Sequence, residues 1–454
     1  MIAWRLMVKR FARTWEFAYA IGLVFTLTQG PVYKIWRTAE FYTPVPINPT
    51  WQATFLAVQI PALMLLARRG LRKDFVWGPL IPLVGLLAWM LLSVTWTNLS
   101  RYASIDALAL TVTAGAGLYV GSRFSSRQLV VMVSIAMHIG VVLSYLAVQQ
   151  SWTESIDPEG NWTGIYFNRN SLGPVAMLGL VTSCAIAISL WRSRSKLVRV
   201  LLLIVSCALI ALDAVVYVRS GSRTSIAAAG AGLLSVVLWL VVGWWYRRTN
   251  APIEAIQRVV YPVFVSFVLL IAGVGFRYQT NIVSWFGKAD FFNGRSALWH
   301  FSWTGFLERP LIGWGWRAAW STPEFLKRDL WWTTAGAVWS HNGFLEVLLG
   351  GGIVGGVLFG AYVLWSGQRV IATITSIPSE TWRVGMAMFI LVACTQEVFI
   401  IGNHFLWLLL VAVLTPQSTM KSGLCQAGDS RPQSANQALL TTRTESFDQL
   451  LRER

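Results

Sequence analysis

Three arginines stand where a helix start should repel them. Arg169 lies in NRNSLG, Arg223 in RSGSRTS with Arg219 four residues earlier, and Arg295 in NGRSALWHFSW. Each opens or closely precedes a helical run. A helix N-terminus carries partial positive charge and unpaired N–H groups, so a cation there is opposed by the dipole. An anion shared between the three reverses that sign, since phosphate binds helix N-termini and guanidinium grips it bidentately. One such arginine alone is better read as snorkelling to lipid phosphates. The set is read as an anion site.

His341, in SHNGFLEVL, is the second chemical feature. It falls at the start of an apolar run, with Ser340 or Asn342 available as the cap. A helix start and nearby arginines both disfavour imidazolium, so the ring is expected to be neutral and able to take a proton from a hydroxyl nucleophile. Without the arginines, a polar interfacial cap is the simpler account. Glu346, one turn on, is expected either to orient His341 or to suit the positive helix end. His300 is read as structural, and His138 and His404 have no evident partner. Asp213 and Glu397 lie in apolar runs, where acids are functional suspects; pairing with Arg219 or Arg223 is the alternative.

The elements that must position these groups are membrane spans. Of 454 residues, 55% are hydrophobic and 13% charged, and the apolar residues recur in runs near the length that crosses about 30 Å of hydrocarbon. About twelve spans are expected, at 16–33, 51–67, 76–96, 104–121, 129–150, 171–191, 200–218, 224–246, 259–276, 343–365, 384–401 and 403–416. The last two form a possible hairpin, and Gly30-Pro31 interrupts the first. The basic start MIAWRLMVKRFARTW shows no cleavage site after its apolar run and is read as part of a retained span.

The formal charge of +17 does not point to nucleic acid, because Lys and Arg cluster at alternate ends of apolar runs. That pattern puts both termini in the cytoplasm and a large loop, 277–342, outside before the tenth span. Residues 1–416 are expected to form the membrane domain and 417–454 a disordered cytoplasmic tail. In the loop, Asn293 is expected to cap an interfacial helix over 294–308 that carries Trp299 and Trp303. These tryptophans and Trp314 are candidates for sugar stacking, with anchoring the plainer role. The glycines at 350, 351, 352, 355 and 356 have the spacing of close helix packing. Cysteines and histidines show no metal-ligand spacing, Asp157 and Glu159 have no second acidic cluster, and no phosphate-binding P-loop is present. No cofactor is expected.

The run GRSALWHFSWTGFLERPLIGWGW, followed by SHNGFLEVLLGGGIVGG, resembles the bacterial O-antigen ligase and polymerase family. SGSRTS and NRNSLG are similar to that family's outer loops, and NRNSLG is closest to its exopolysaccharide-production branch. The resemblance implies an all-α polytopic glycosyltransferase of the membrane-embedded C-type, working without a metal. The donor would be a glycan on undecaprenyl pyrophosphate and the acceptor a glycan or glycolipid hydroxyl, at the outer face of the bacterial cytoplasmic membrane. Arg223 and Arg295, helped by Arg219 and Arg169, would hold the pyrophosphate, and His341 would serve the acceptor. Asn170, Asn342, Glu346 and Trp299 complete the candidate binding set. A polymerase of lipid-linked repeats shares this chemistry. A transporter of lipid-linked sugars, coupled through Asp213 or Glu397, is the rival of another class.

Overall fold

The computed structural model describes residues 2–36, 49–71, 77–97, 100–190, 196–249, 295–328, 339–374 and 380–415. The expected span 259–276, Asn293 and the tail from Gln417 lie outside these. The larger of two compact units, Met1–Pro416, contains everything described below.

Its helices run α1 Ile2–Leu27, α2 Gly30–Ile35, α3 Pro49–Arg69, α4 Leu80–Leu92, α5 Ser100–Arg123, α6 Ser126–Gln149 and α7 Arg169–Leu190. They continue as α8 Lys196–Ser220, α9 Arg223–Thr249, α10 Arg295–Glu308, α11 Pro323–Leu326, α12 Gly343–Ile374, α13 Thr381–Ala393 and α14 Phe405–Leu414. Among the described residues the one β feature is an isolated bridge between Ile156 and Trp162. The protein is an all-α polytopic membrane protein. Among the described residues seven helices, α3, α5 to α9 and α12, are long and apolar enough to cross a membrane; α4, α13 and α14 are apolar but shorter.

Each expected span within the described residues contains helix, and two of them need correction. The first span is interrupted at Gly30-Pro31 as expected: the helix breaks at Gln29, which takes φ 70°, and restarts at Gly30 with Pro31 in its first turn, where a missing N–H costs nothing. The eleventh ends at Ala393 rather than reaching 401, and a non-helical connection follows to Phe405. The tenth extends to Ile374 and is interrupted at Gly352 (φ 64°).

That interruption shows what the glycine run is for. Residues 310–315 lie against α12 there: Trp314 N–H donates to Leu349 O (2.7 Å), Gly315 N–H to Gly350 O (3.1 Å), and Ile353 N–H to Pro310 O (2.7 Å). A Cβ on Gly352 would stand 2.2 Å from Leu311 O. Gly351 and Gly355 do face another helix, through Met90 of α4. The stripe expected to serve helix packing alone therefore also seats a loop, and the loop satisfies backbone groups freed by the break.

Every residue of α14 is buried. Its neighbour α5 approaches through Gly117 and Gly121, where a Cβ would meet the backbone oxygens of Leu408 and Ala412. The last carbonyls of α14 accept hydrogen bonds from buried Arg383, whose Nε donates to Val413 O at 2.8 Å. A cation suits that end of the helix dipole.

Candidate active site

The connection between α13 and α14 carries Glu397, and three elements distant in sequence converge on its carboxylate. Arg295 Nη2, at the start of α10, donates to Oε1 at 2.5 Å, and Asn170 Nδ2, at the start of α7, donates to Oε1 at 2.8 Å. His341 Nδ1 lies 2.8 Å from Oε2. Arg295 is further steadied by Gln396 Oε1 at 3.3 Å. Burial pushes the Glu397 carboxyl upward, but hydrogen bonds from His341 and Asn170 and the charge of Arg295 outweigh it and hold the group below the usual carboxylate range.

The turn before α12 fixes the imidazole. Asn342 Oδ1 accepts from Phe344 N–H (3.0 Å) and Leu345 N–H (3.1 Å), which caps the helix and uses the side chain expected to bind substrate. Gly343 N–H donates to Cys394 O at 2.7 Å and ties this turn to the connection that holds Glu397. His341 itself adopts φ 51°, the left-handed region that a non-glycine residue enters only when its surroundings hold it there. Those surroundings include Glu346. Its Oε1 accepts from Ser340 N–H at 2.6 Å and from Trp320 Nε1–H at 2.9 Å. Of the two roles expected for Glu346, contact with the ring is not seen: Glu346 lies in the first turn of α12 and holds the turn, and Glu397 meets the ring.

A carboxylate only accepts, so Nδ1 carries a proton toward Glu397, and in the neutral ring the lone pair is on Nε2. Trp339 Nε1 lies 3.3 Å from the same Nδ1, but one protonated nitrogen cannot accept from it; the nearer, charged partner decides the tautomer. The His341 side chain is 34% exposed. The arrangement is an imidazole oriented by an acid, with no described residue bonded to its second nitrogen.

The other expected site residues fall into two groups. Arg223 opens α9, is exposed, and has no ion-pair partner among the described residues. Its neighbour Ser222 packs on α7 at Gly173, where a Cβ would stand 2.3 Å from that serine. Asn170 is three residues earlier on α7, so Gly173 shares its face. The start of α9 is therefore within a helical turn of the residue that binds Glu397. Arg219 is exposed too, its guanidinium 5.9 Å from the Trp162 ring centre.

The remaining residues are otherwise engaged. Arg169 pairs with Glu159 at 2.6 Å. Trp299 is buried in α10 and anchors rather than offering a face to a sugar. Leu298, Phe301 and Phe306 of α10 pack with Trp314, Trp320 and Phe325, so this helix sits on its own aromatic cluster. Asp213 and Glu397 pair with neither Arg219 nor Arg223. Asp213 meets His138 at 2.9 Å. Asp157 is used by its own turn, accepting from the N–H groups of Glu159 and Asn161.

Reasoning from sequence missed Glu397 as the point of convergence, and missed Trp320 and Ser340 as partners of Glu346. The available signal was Glu397 itself. An acid in an apolar run requires a partner, and Arg295 and His341 were the groups still seeking an anion.

Residues 208–360 match the family model described as O-Antigen ligase. That stretch contains Arg219, Arg223, Arg295, His341 and Glu346, and leaves Asn170 and Glu397 outside it. No curated protein matches the chain. The match supports the O-antigen ligase family and, with it, a membrane glycosyltransferase-like role in O-antigen assembly.

Proposed function

We propose, from this family likeness as premise, that the protein moves a glycan from undecaprenyl pyrophosphate to an acceptor hydroxyl at the outer face of the bacterial cytoplasmic membrane. The observation that carries the reading is the His341 imidazole, held through Nδ1 by Glu397 at 2.8 Å with Nε2 unengaged among the described residues, on an acid that also binds Arg295.

In this reading the acceptor hydroxyl lies against His341 Nε2. Its oxygen attacks the anomeric carbon, and its proton passes to Nε2. The bond from the anomeric carbon to the pyrophosphate oxygen breaks, and the bonding electrons leave with the lipid diphosphate. Glu397 stabilises the imidazolium that forms, as a buried carboxylate behind a base does in acyl transfer. One base opposite one leaving group gives inversion.

Arg223 and Arg219, exposed at adjoining helix ends, bind the pyrophosphate. Arg295 spends two of its five donors on Glu397 and Gln396, which leaves three for the same anion. Guanidinium groups thereby neutralise leaving-group charge, a task that divalent cations perform elsewhere. The reading predicts that transfer persists in excess chelator.

The test is reconstitution of the purified protein with a polyprenyl-pyrophosphate-linked glycan and a hydroxyl acceptor, following product and released lipid diphosphate. His341→Ala protein that still inserts is expected to lose transfer. Unchanged transfer would remove the enzyme assignment, and the size of the product separates a ligase from a polymerase.

A further inference from the structure

On one side His341 is bordered by Trp339, and beyond that ring lies an ion pair that the transfer reading leaves unused. The Trp339 and His341 ring centres are 5.7 Å apart, and the Arg317 guanidinium lies 5.7 Å from the centre of the same indole. Arg317 in turn faces Asp106, near the start of α5, with Nε 3.7 Å from Oδ2. A second route also brings Asp106 to this neighbourhood. One turn further along α5, a Cβ on Gly402 would stand 2.6 Å from the backbone of Ala109 and Leu110. Gly402 belongs to the connection that carries Glu397.

Arg317 is held in place at a cost in backbone strain. It takes φ 57° and follows Gly313 and Gly315, at φ 70° and 93°. The turn is fixed on both sides: Trp316 N–H donates to Ser93 Oγ at 2.9 Å, and Ala318 N–H to Gly315 O at 3.1 Å. A non-glycine residue stays in the left-handed region only where its surroundings impose it, and such residues gather at binding sites.

The pair itself is not closed. A separation of 3.7 Å is too long for a hydrogen bond, and among the described residues no hydrogen bond reaches either side chain. The Arg317 side chain is 20% exposed and that of Asp106 40%. Donors and acceptors therefore stand side by side, partly withdrawn from water and unsatisfied by described protein groups.

These properties select a ligand. Asp106 repels a phosphate, and Arg317 repels an ammonium group. A hydroxyl gives its proton to a carboxylate and accepts one from a guanidinium, so neighbouring hydroxyls on one ring satisfy both. A sugar also has an apolar C–H face to set beside the indole of Trp339. Water can bridge such a pair but gains nothing from the indole, and the test below separates the two.

We propose that Asp106, Arg317 and Trp339 form the subsite for the sugar ring that carries the acceptor hydroxyl, and orient that ring against His341. The inference rests on the glycan-transfer reading and adds a chemical class to it: the acceptor is a saccharide hydroxyl rather than that of a protein serine.

Two variants test it in the full chain. Asp106→Asn replaces a charge-assisted contact by a neutral one, and Arg317→Lys keeps the positive charge near Glu346 while losing the planar fork. Binding of methyl glucoside, methyl galactoside, methyl mannoside and a serine-containing hexapeptide would be followed by saturation-transfer NMR. Wild type is expected to bind at least one glycoside in preference to the peptide, and each variant to weaken that binding about tenfold. In reconstituted transfer, each variant should raise KM for a saccharide acceptor about tenfold and KM for the lipid-linked donor less than twofold. Failure of every glycoside to bind wild type, equal binding by the variants, or equal binding of the peptide would overturn the proposal. So would a rise in KM shared by donor and acceptor, which marks structural support. Glycoside binding that the variants weaken, in a protein that transfers nothing, would instead fail the transfer reading and leave the sugar site standing. Should one variant fail to fold, the other decides.

Discussion

Two histidines of this protein each meet a carboxylate, His341 with Glu397 at 2.8 Å and His138 with Asp213 at 2.9 Å. In the His138 pair every nitrogen is used: Nδ1 donates to Ser134 O at 2.6 Å, and Nε2 faces Asp213 and the Ser183 hydroxyl at 3.0 Å. That ring is 10% exposed and joins α6, α7 and α8 in the membrane. In the His341 pair the acid takes Nδ1 and no described residue takes Nε2, on a ring 34% exposed at a strained turn. The same two residue types therefore make a fastener in one place and a candidate base in the other. What differs is how many nitrogens the surroundings consume.

The largest expected effect separates the pairs directly. His341→Ala should lower transfer by about 10²–10⁴, the usual contribution of a positioned base. His138→Gln should change transfer per folded molecule by less than about threefold and instead lower the thermal midpoint, since it leaves Asp213 buried without its partner. Rate and melting measured on both proteins check this.

The arginines sharpen the same contrast between engaged and available groups. Arg223→Ala should reduce kcat/KM for the lipid-linked donor about 10- to 100-fold, the loss of one charge-assisted contact. Arg169→Ala, already paired with an exposed Glu159, should cost less than about threefold. Initial rates over a range of donor concentrations distinguish the two.

The frame that holds the turn can be broken at one glycine and spared at another in the same helix. Gly352→Ala meets both φ 64° and Leu311 O, and should lower the thermal midpoint and the yield of folded protein. Gly360→Ala, with nothing within 4 Å, should leave the midpoint unchanged or raise it, by up to about 1 kcal/mol in stability.

The smallest effect is a pH dependence. The Glu397 carboxyl is held below its ordinary range, so its pairing stabilises the fold fully above the unfolded value of about 4.3 and is lost as pH falls through the lower folded value. The melting difference between wild type and Glu397→Gln should be constant above about pH 5 and shrink in more acid solution. A difference that grew toward acid would have the wrong sign for this clamp.

The helices were legible because hydrocarbon thickness imposes a length on each apolar run, and basic clusters mark its ends. Arg295, His341 and Asn170 were legible as residues, since each sits at a helix start where its type needs a reason. Their meeting point was not. Glu397 is 56 residues from His341, 102 from Arg295 and 227 from Asn170, and only helix packing sets those distances. Which of its two expected roles Glu346 takes was not legible for a similar reason. One turn of spacing permits contact with the ring, but Trp320 and the Ser340 N–H take the carboxylate first. The glycine run was read by spacing alone, which cannot tell a neighbouring helix from a seated loop.

The account stands on Glu397 and His341 acting as one unit, and a double-mutant cycle measures that most directly. Transfer rates of His341→Ala, Glu397→Gln and the double variant would be compared in the same reconstituted membranes. The prediction is that Glu397→Gln is slower than wild type and that the double variant is no slower than His341→Ala alone, because the acid works only through the ring. Losses that multiply in the double variant, or a Glu397→Gln protein as fast as wild type, would contradict it.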